Sequence, residues 1–109
     1  MDNREIFACL KSQSVSEREI ILTFQDLLHA IDLLEQNGVR ILGWEGVIRD
    51  VDGNLGHGDA PQGTASLEKL TVPEAAQLCR QTIQESFDEW IEAHPNTKDE
   101  LLFCLVIED

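Results

Sequence analysis

Two stretches of the chain repeat their apolar residues at the spacing of an amphipathic helix. The first begins near Asp26, which can cap it, and runs to about Asn37, where Gly38 gives a C-terminal glycine signal. At about 100° per residue, one broad apolar face collects Leu27, Ala30, Ile31, Leu33 and Leu34. This pattern predicts a helix that packs one side against a core.

The second helix is predicted from the residues of its first turn. Thr71-Val-Pro-Glu74 has the spacing of a capping box, with a proline in the first turn. The helix is expected to reach Ala93, where His94-Pro95 ends it. Its buried side is predicted to hold Val72, Ala76, Cys79, Ile83, Phe87 and Trp90.

Three further segments show strand patterns. Residues 18–24 alternate between two faces and are rich in β-branched side chains. Residues 39–51 precede Asp52-Gly53, a hairpin signal, and a short return strand from Asn54 to about His57. Residues 101–107 form an uninterrupted apolar run, which predicts a strand covered on both faces and therefore central in its sheet.

The long strand, residues 39–51, divides its side chains between two faces. Strict alternation places Leu42, Trp44 and Ile48 on one face, and it places Val39, Ile41 and Val47 on the other. Gly43 and Gly46 interrupt the pattern and indicate a bulge or a close backbone approach. Residues 57–66 contain several glycine and proline breakers and are predicted to form a loop.

The predicted order is β-α-β-β-α-β, preceded by a short helix over residues 4–10. We therefore expect a single α+β domain, residues 1–109, built as a two-layer sandwich of two amphipathic helices on a mainly antiparallel sheet. A ferredoxin-like connection is one way to realise this order, and the order of strands within the sheet remains open.

The chain is strongly acidic, and this composition bears on which partners it can bind. It has 21 Asp and Glu residues against 8 Lys and Arg, a formal charge of −13, and its hydrophobic content of 42% is too high for a disordered acidic tail. Such a charge disfavours binding to nucleic acid or to anionic lipid and suits a basic protein partner. Solubility alone is the alternative explanation.

Targeting and cofactor signals are sparse. The first residues, Met1 to Lys11, carry charges where a secretion signal needs an apolar run, and no stretch has the length of a membrane span. We therefore expect a cytoplasmic protein.

Cys9, Cys79 and Cys104 are far apart in the sequence and odd in number, which favours buried apolar roles over a disulfide framework or a metal site. No cofactor and no metal are expected.

The charge concentrates in the second predicted helix. Within an arc of about 100°, opposite its apolar side, this helix carries Glu85, Asp88, Glu89 and Glu92. No Lys or Arg lies between Gln81 and Thr97, and from Gln81 to Asp109 there are eight acids and one lysine. The stripe is either a surface that receives basic side chains or an ordinary solvated helix face.

The predicted hairpin and its loop supply the other candidate residues. Acidic side chains there are Glu45, Asp50, Asp52 and Asp59, and Trp44 is either core or an exposed interface anchor. Glu45 is either paired in a buried site or exposed on an open sheet face. Asp50-x-Asp52-x-Asn54 resembles the start of a calcium loop, but Leu55 and Pro61 stand at its sixth and twelfth positions, so calcium is not expected.

A small enzyme is the first alternative to a binding function. His57 and Asp59 place an imidazole and a carboxylate on one flexible loop, as a general base would require. Neither His29 nor His94 offers them a partner. The second alternative is a homodimer that uses an exposed sheet face, with the acids serving solubility alone.

One segment resembles a known class of protein. A helix that ends in Gly38, followed by Val39-Arg-Ile-Leu-Gly-Trp44 and an Asp-Gly hairpin, is similar to small immunity proteins of bacterial polymorphic toxin systems. The likeness covers Asp26 to Gly56, about a third of the chain. It implies a cytosolic protein that binds a cognate toxin domain and blocks it. We accordingly expect a non-enzymatic inhibitor, and both a monomer and a homodimer remain open. No binding residue transfers, because such families differ most where they meet the toxin.

Overall fold

A computed structural model describes residues 2–64 and 66–108 and confirms an α+β fold, with an order of elements close to the predicted one. The chain begins with a helix that is longer than predicted, and the later helices and strands follow in the order β-α-β-β-α-β. The elements are α1 (Asn3–Gln13), β1 (Ile20–Leu22), α2 (Phe24–Gln36), β2 (Ile41–Arg49), β3 (Leu55–Gly56), α3 (Val72–Ala93) and β4 (Glu100–Ile107). A 3₁₀ turn, Leu67–Lys69, precedes α3.

The four strands form one sheet in the order β1-β4-β2-β3, and every neighbouring pair is antiparallel. The apolar strand β4 lies inside the sheet, as its composition predicts. β1 is consequently parallel to β2 and separated from it by β4, while β3 is parallel to β4 and separated from it by β2. Both β-α-β units are therefore split by a strand of the other unit, and the two central strands are β4 and β2.

The three helices pack on one face of this sheet. The main core joins Ile6 and Leu10 of α1 to the buried sides of α2 and α3 and to one face of the sheet. Phe103 of β4 is fully buried and contacts the Trp44 ring edge-on, with ring centroids 5.4 Å apart. On the opposite face of the sheet lies a smaller buried cluster of Ile21, Val47, Leu102 and Cys104.

A β-bulge near Gly43 corrects the predicted faces of β2. The register pairs Ile41 with Ile107 but Gly43 with Val106, so one extra residue enters β2 between these pairs. The extra residue turns Ile41 onto the Trp44 side, and both belong to the main core. The expectation that Ile41 shares a face with Val47 is therefore wrong, although Gly43 does mark a bulge.

The start of α2 also differs from the prediction. Its N-cap is Thr23 and not Asp26, because the Thr23 hydroxyl accepts a hydrogen bond from the backbone N–H of Asp26 at 3.3 Å. Phe24 is consequently the first helical residue and no longer part of a strand. Its ring stacks on Phe87 of α3 at a centroid distance of 4.0 Å. The capping box of α3 forms as predicted between Thr71 and Glu74.

The segment after the hairpin extends the sheet edge beside β2. Trp44 and Thr64 exchange backbone hydrogen bonds of 2.8 and 3.0 Å, and the Gly46 N–H donates to the Pro61 carbonyl at 2.9 Å. Gly63 has φ +83°, and a Cβ there would lie 2.0 Å from the Trp44 carbonyl oxygen. Only glycine fits this position, because both the dihedral angle and the space exclude a side chain.

Two cysteines are buried and their thiols are hard to ionise. Burial raises the pKa of the Cys79 thiol to about 11. Burial, and then the negative charges of Glu19 and Glu45, raise the pKa of the Cys104 thiol to about 12. Both residues therefore act as small apolar groups at neutral pH.

Among the described residues, no helix combines the length and apolar character needed to cross a membrane.

Candidate partner-binding surface

The outer side of α3 presents a row of exposed carboxylates. The opposite side of the helix is fixed in the core by Ala75, Ala76, Cys79, Ile83 and Trp90. Helical spacing then turns the acidic stripe away from the sheet, and all four of its carboxylate residues are exposed. We call this surface the α3 acidic face, and it consists of Glu85, Asp88, Glu89 and Glu92.

No basic group of the described chain neutralises the α3 acidic face. Within residues 2–64 and 66–108, every ion pair with a nitrogen–oxygen distance up to 4.0 Å involves other carboxylates. The face is held only by neutral donors, since Gln81 donates to Glu85 at 3.3 Å and Gln84 donates to Asp88 at 3.0 Å. Four negative charges therefore remain available on one helix surface.

The inner edge of the same helix is neutralised. The Arg80 guanidinium donates to Asp32 at 2.7 Å and to Glu35 at 2.5 Å, and both acceptors lie on α2. These hydrogen bonds, that to Glu35 first, raise the pKa of Arg80 above its usual value. Acids at the contact between the helices are thus paired within the chain.

The structure places Trp44 in the core. Its side chain is 3% exposed, and its indole N–H donates to the Thr82 hydroxyl of α3 at 2.9 Å. That hydroxyl donates in turn to the Leu78 carbonyl at 2.8 Å, so the indole is satisfied inside the protein. Trp44 was predicted to be either a core residue or an exposed interface anchor, and it is a core residue.

The acids of the hairpin have different surroundings. Glu45 is exposed on the open face of the sheet, opposite Cys104 in the register. The Asp50 carboxylate accepts the N–H groups of Asp52 and Asn54 at 2.9 Å each, and the bond from Asn54 contributes most to lowering the pKa of Asp50. Asp50 therefore holds the turn, while the Asp52 side chain is exposed.

The hairpin loop is one residue longer than predicted. The Gly53 N–H donates to the Asp50 carbonyl, the Asp50 N–H donates to the Asn54 carbonyl, and Gly53 has φ +86°. This is a three-residue loop with a glycine in the left-handed conformation rather than a two-residue turn.

Asp59 has a partner that sequence reasoning missed. Its carboxylate lies 2.6 Å from Nε2 of His94, at the C-cap of α3, and Nδ1 of His94 lies 2.9 Å from the Trp90 carbonyl. The hydrogen bonds that the His94 ring donates, first to the Trp90 carbonyl and then to the Asp59 carboxylate, raise the pKa of His94. The expectation that His94 offers no partner is wrong, and no local pattern could show the contact because 35 residues separate the two.

The predicted pair of His57 and Asp59 is not brought together as a base and its orienting acid. Asp59 turns to His94, while Nδ1 of His57 lies 3.3 Å from the Gly46 carbonyl oxygen. Both ring nitrogens of His94 are engaged by acceptors, so this imidazole has no free nitrogen to take a proton from a substrate. The arrangement serves to hold the loop against the end of α3.

A groove of about 570 Å³ opens between the start of α2, the last turns of α3 and the start of β4. Sequence reasoning missed it, because each of these elements contributes only a few residues. Its apolar side contains Phe24, Phe87, Trp90 and Ile91, and its rim carries Asp99 and Glu100. Within the described residues, the buried Trp90 indole N–H donates to no acceptor.

The described residues bring together no group of three or more His, Cys, Asp and Glu side chains arranged to hold a metal ion.

No family model matches the chain, and no curated protein and no solved structure matches it.

Proposed function

We propose that the protein is a non-enzymatic binding protein of the immunity type, which occludes the basic surface of a cognate toxin in the cytoplasm. The observation that carries the proposal is the α3 acidic face, whose four exposed carboxylates have no cationic partner in the described chain. The toxin as the partner follows from the resemblance of residues 26–56 to immunity proteins.

The physical argument starts from the cost of the face to the free protein. Glu85 and Glu89, like Asp88 and Glu92, are four residues apart on one helix. Like charges at this spacing destabilise a helix by about 0.2–0.5 kcal/mol per pair. Lysine and arginine side chains of a partner would relieve this repulsion and accelerate the encounter, because complementary charge steers association.

The test measures association with the protein encoded immediately upstream of this chain, prepared as a catalytically inactive domain. Replacing Glu85→Lys and Glu92→Lys is expected to slow association by roughly tenfold or more at low salt, with a smaller effect on dissociation. Stopped-flow fluorescence at low and high ionic strength gives both rates.

A matched control changes the net charge equally at another surface. Glu17→Lys with Glu68→Lys also replaces two exposed acids by lysines, outside the α3 acidic face. At about 0.15 M salt, where the Debye length is about 8 Å, this control should leave association within about twofold of the parent rate, because charges away from the interface are screened. Equal slowing by both pairs of substitutions, or no complex at all, would overturn the proposal.

A further inference from the structure

The groove beside the α3 acidic face combines an apolar side with an acidic rim. The Trp90 side chain is 6% exposed, whereas Ile91 is 48% exposed. Phe24 and Phe87 are half-buried and stacked on each other. An exposed isoleucine beside partly open aromatic rings is a surface that gains from burial against a second molecule.

The charge of the rim selects the occupant. Asp99 and Glu100 line the groove, and no Lys, Arg or His is among its lining residues. Glu100 is already paired with Arg49, whereas the exposed Asp99 takes part in no ion pair among the described residues and acts on His94, which stacks on Trp90, only through its charge. An anionic occupant would be repelled by Asp99 and Glu100, and a purely apolar one would desolvate the Asp99 carboxylate without pairing it.

The groove is also continuous with the α3 acidic face. Asp88 precedes Ile91 by three residues, so the two side chains are neighbours on the helix surface. A partner seated on the acidic face at Asp88 therefore lies next to Ile91, which lines the groove.

We infer that this groove receives an arginine side chain of the basic partner, with its alkyl part against Ile91 and the aromatic rings and its guanidinium paired with Asp99. Arginine suits the apolar side and the acidic rim of the groove, since it joins an apolar stem to a weakly hydrated planar cation that packs on aromatic side chains. Its guanidinium offers no acceptor, so the Trp90 indole N–H is not paired by this side chain. This assignment rests on the proposed function for the identity of the partner.

The two tryptophans allow a direct test by NMR. The indole N–H of Trp90 reports on the groove, and that of Trp44, bonded to Thr82 in the core, is an internal control. The probes are N-acetyl-arginine amide, N-acetyl-lysine amide and the uncharged isostere N-acetyl-citrulline amide. Arginine amide is expected to shift the Trp90 signal saturably and leave the Trp44 signal in place.

Substitution at the rim tests the role of the charge. Asp99→Asn should weaken binding of arginine amide by about threefold to fivefold, the range for a solvent-accessible ion pair, while Glu17→Gln should not change it. The unchanged Trp44 signal shows that each variant is folded. Equal binding of citrulline amide, an unshifted Trp90 signal, or no effect of Asp99→Asn would overturn the assignment.

Failure of the groove and failure of the proposed function give different results. If the upstream protein binds through the α3 acidic face but arginine amide leaves Trp90 unchanged, the groove assignment falls alone. If arginine amide binds beside Trp90 but the upstream protein forms no complex, the groove stands and the toxin partner is wrong.

Discussion

Two groups of carboxylates on the helical layer differ in what neutralises them. Asp32 and Glu35 lie where α2 meets α3, and Arg80 pairs with both. The α3 acidic face points away from α2 and the sheet, and the described residues offer it no cation. The two groups lie on the same pair of helices, so the difference is one of position.

The comparison separates charges that serve the fold from charges left to solvent or to a second molecule. Where two elements of the chain meet, pairing offsets the partial desolvation of an acid, as for the half-buried Glu35, whereas the exposed Asp32 gains less from its pair. On an exposed helix face the cost is smaller and takes the form of mutual repulsion. Removing charge from the two groups should therefore change stability in opposite directions.

The largest effect is expected from removing the cation of the paired group. Arg80→Met keeps an apolar stem but leaves Asp32 and Glu35 facing each other without a partner. We expect a loss of about 1–2 kcal/mol in the free energy of unfolding, from two ion pairs of about 0.5–1 kcal/mol each. Urea denaturation followed by tryptophan fluorescence measures it.

The control for this substitution is Arg18→Met, because Arg18 is exposed and forms no ion pair within the described residues. Adding Glu35→Gln to Arg80→Met should restore part of the lost stability, as coupled partners do in a double-mutant cycle. Independent, additive effects of the two substitutions would show that the pair is not energetically coupled.

The opposite sign is expected on the α3 acidic face. Replacing its four acids by their amides removes the like-charge repulsion along the helix and the negative charge near its C-terminus, where it opposes the helix dipole. We expect the free energy of unfolding to rise by about 0.5–1.5 kcal/mol. Asp32→Asn with Glu35→Gln, the matched change at the paired group, should lower it. Destabilisation by both sets would remove the distinction between the two groups.

Local signals in the sequence account for what could be predicted of the fold. The capping box of Thr71 and Glu74, the glycine at position 38 and the apolar run of β4 each depend on neighbouring residues, and each is confirmed. The stripe of acids on α3 follows from helical spacing alone. Its exposure was therefore predictable before its lack of partners was known.

Contacts between distant residues account for what could not be predicted. Thr23 and Asp26 both suit a helix start, and the early end of β1 at Leu22 gives the cap to Thr23. The bulge that turns Ile41 inward depends on the register with β4. The pair of Asp59 and His94, and the groove beside Trp90, arise only when the loop, α3 and β4 come together.

Ionic strength is expected to change the free energy of unfolding by a smaller amount. Raising NaCl from about 20 mM to about 200 mM shortens the Debye length and screens exposed charges. Because the formal charge is −13, we expect repulsion to be relieved more than the Arg80 pairs are weakened, so that the free energy of unfolding rises by a few tenths of a kcal/mol. The gain should shrink when the α3 acidic face is neutralised and grow in Arg80→Met. A fall in stability with salt would contradict this balance.

The pair of Asp59 and His94 allows a test by pH, because deprotonation of His94 removes the positive charge that the Asp59 carboxylate faces. Both ring nitrogens of His94 face acceptors, so the folded protein favours the imidazolium, and the pKa of His94 is raised. The stabilisation is therefore complete below the unfolded pKa, near 6.5, and is lost as pH rises through the higher folded pKa. We expect His94→Gln to flatten the decline in stability between about pH 6 and about pH 8, whereas His29→Gln, at an exposed site, should leave it unchanged. NMR titration of the His94 ring gives the pKa directly, and a value at or below the usual one would contradict the hydrogen bonds of the ring to both Trp90 and Asp59.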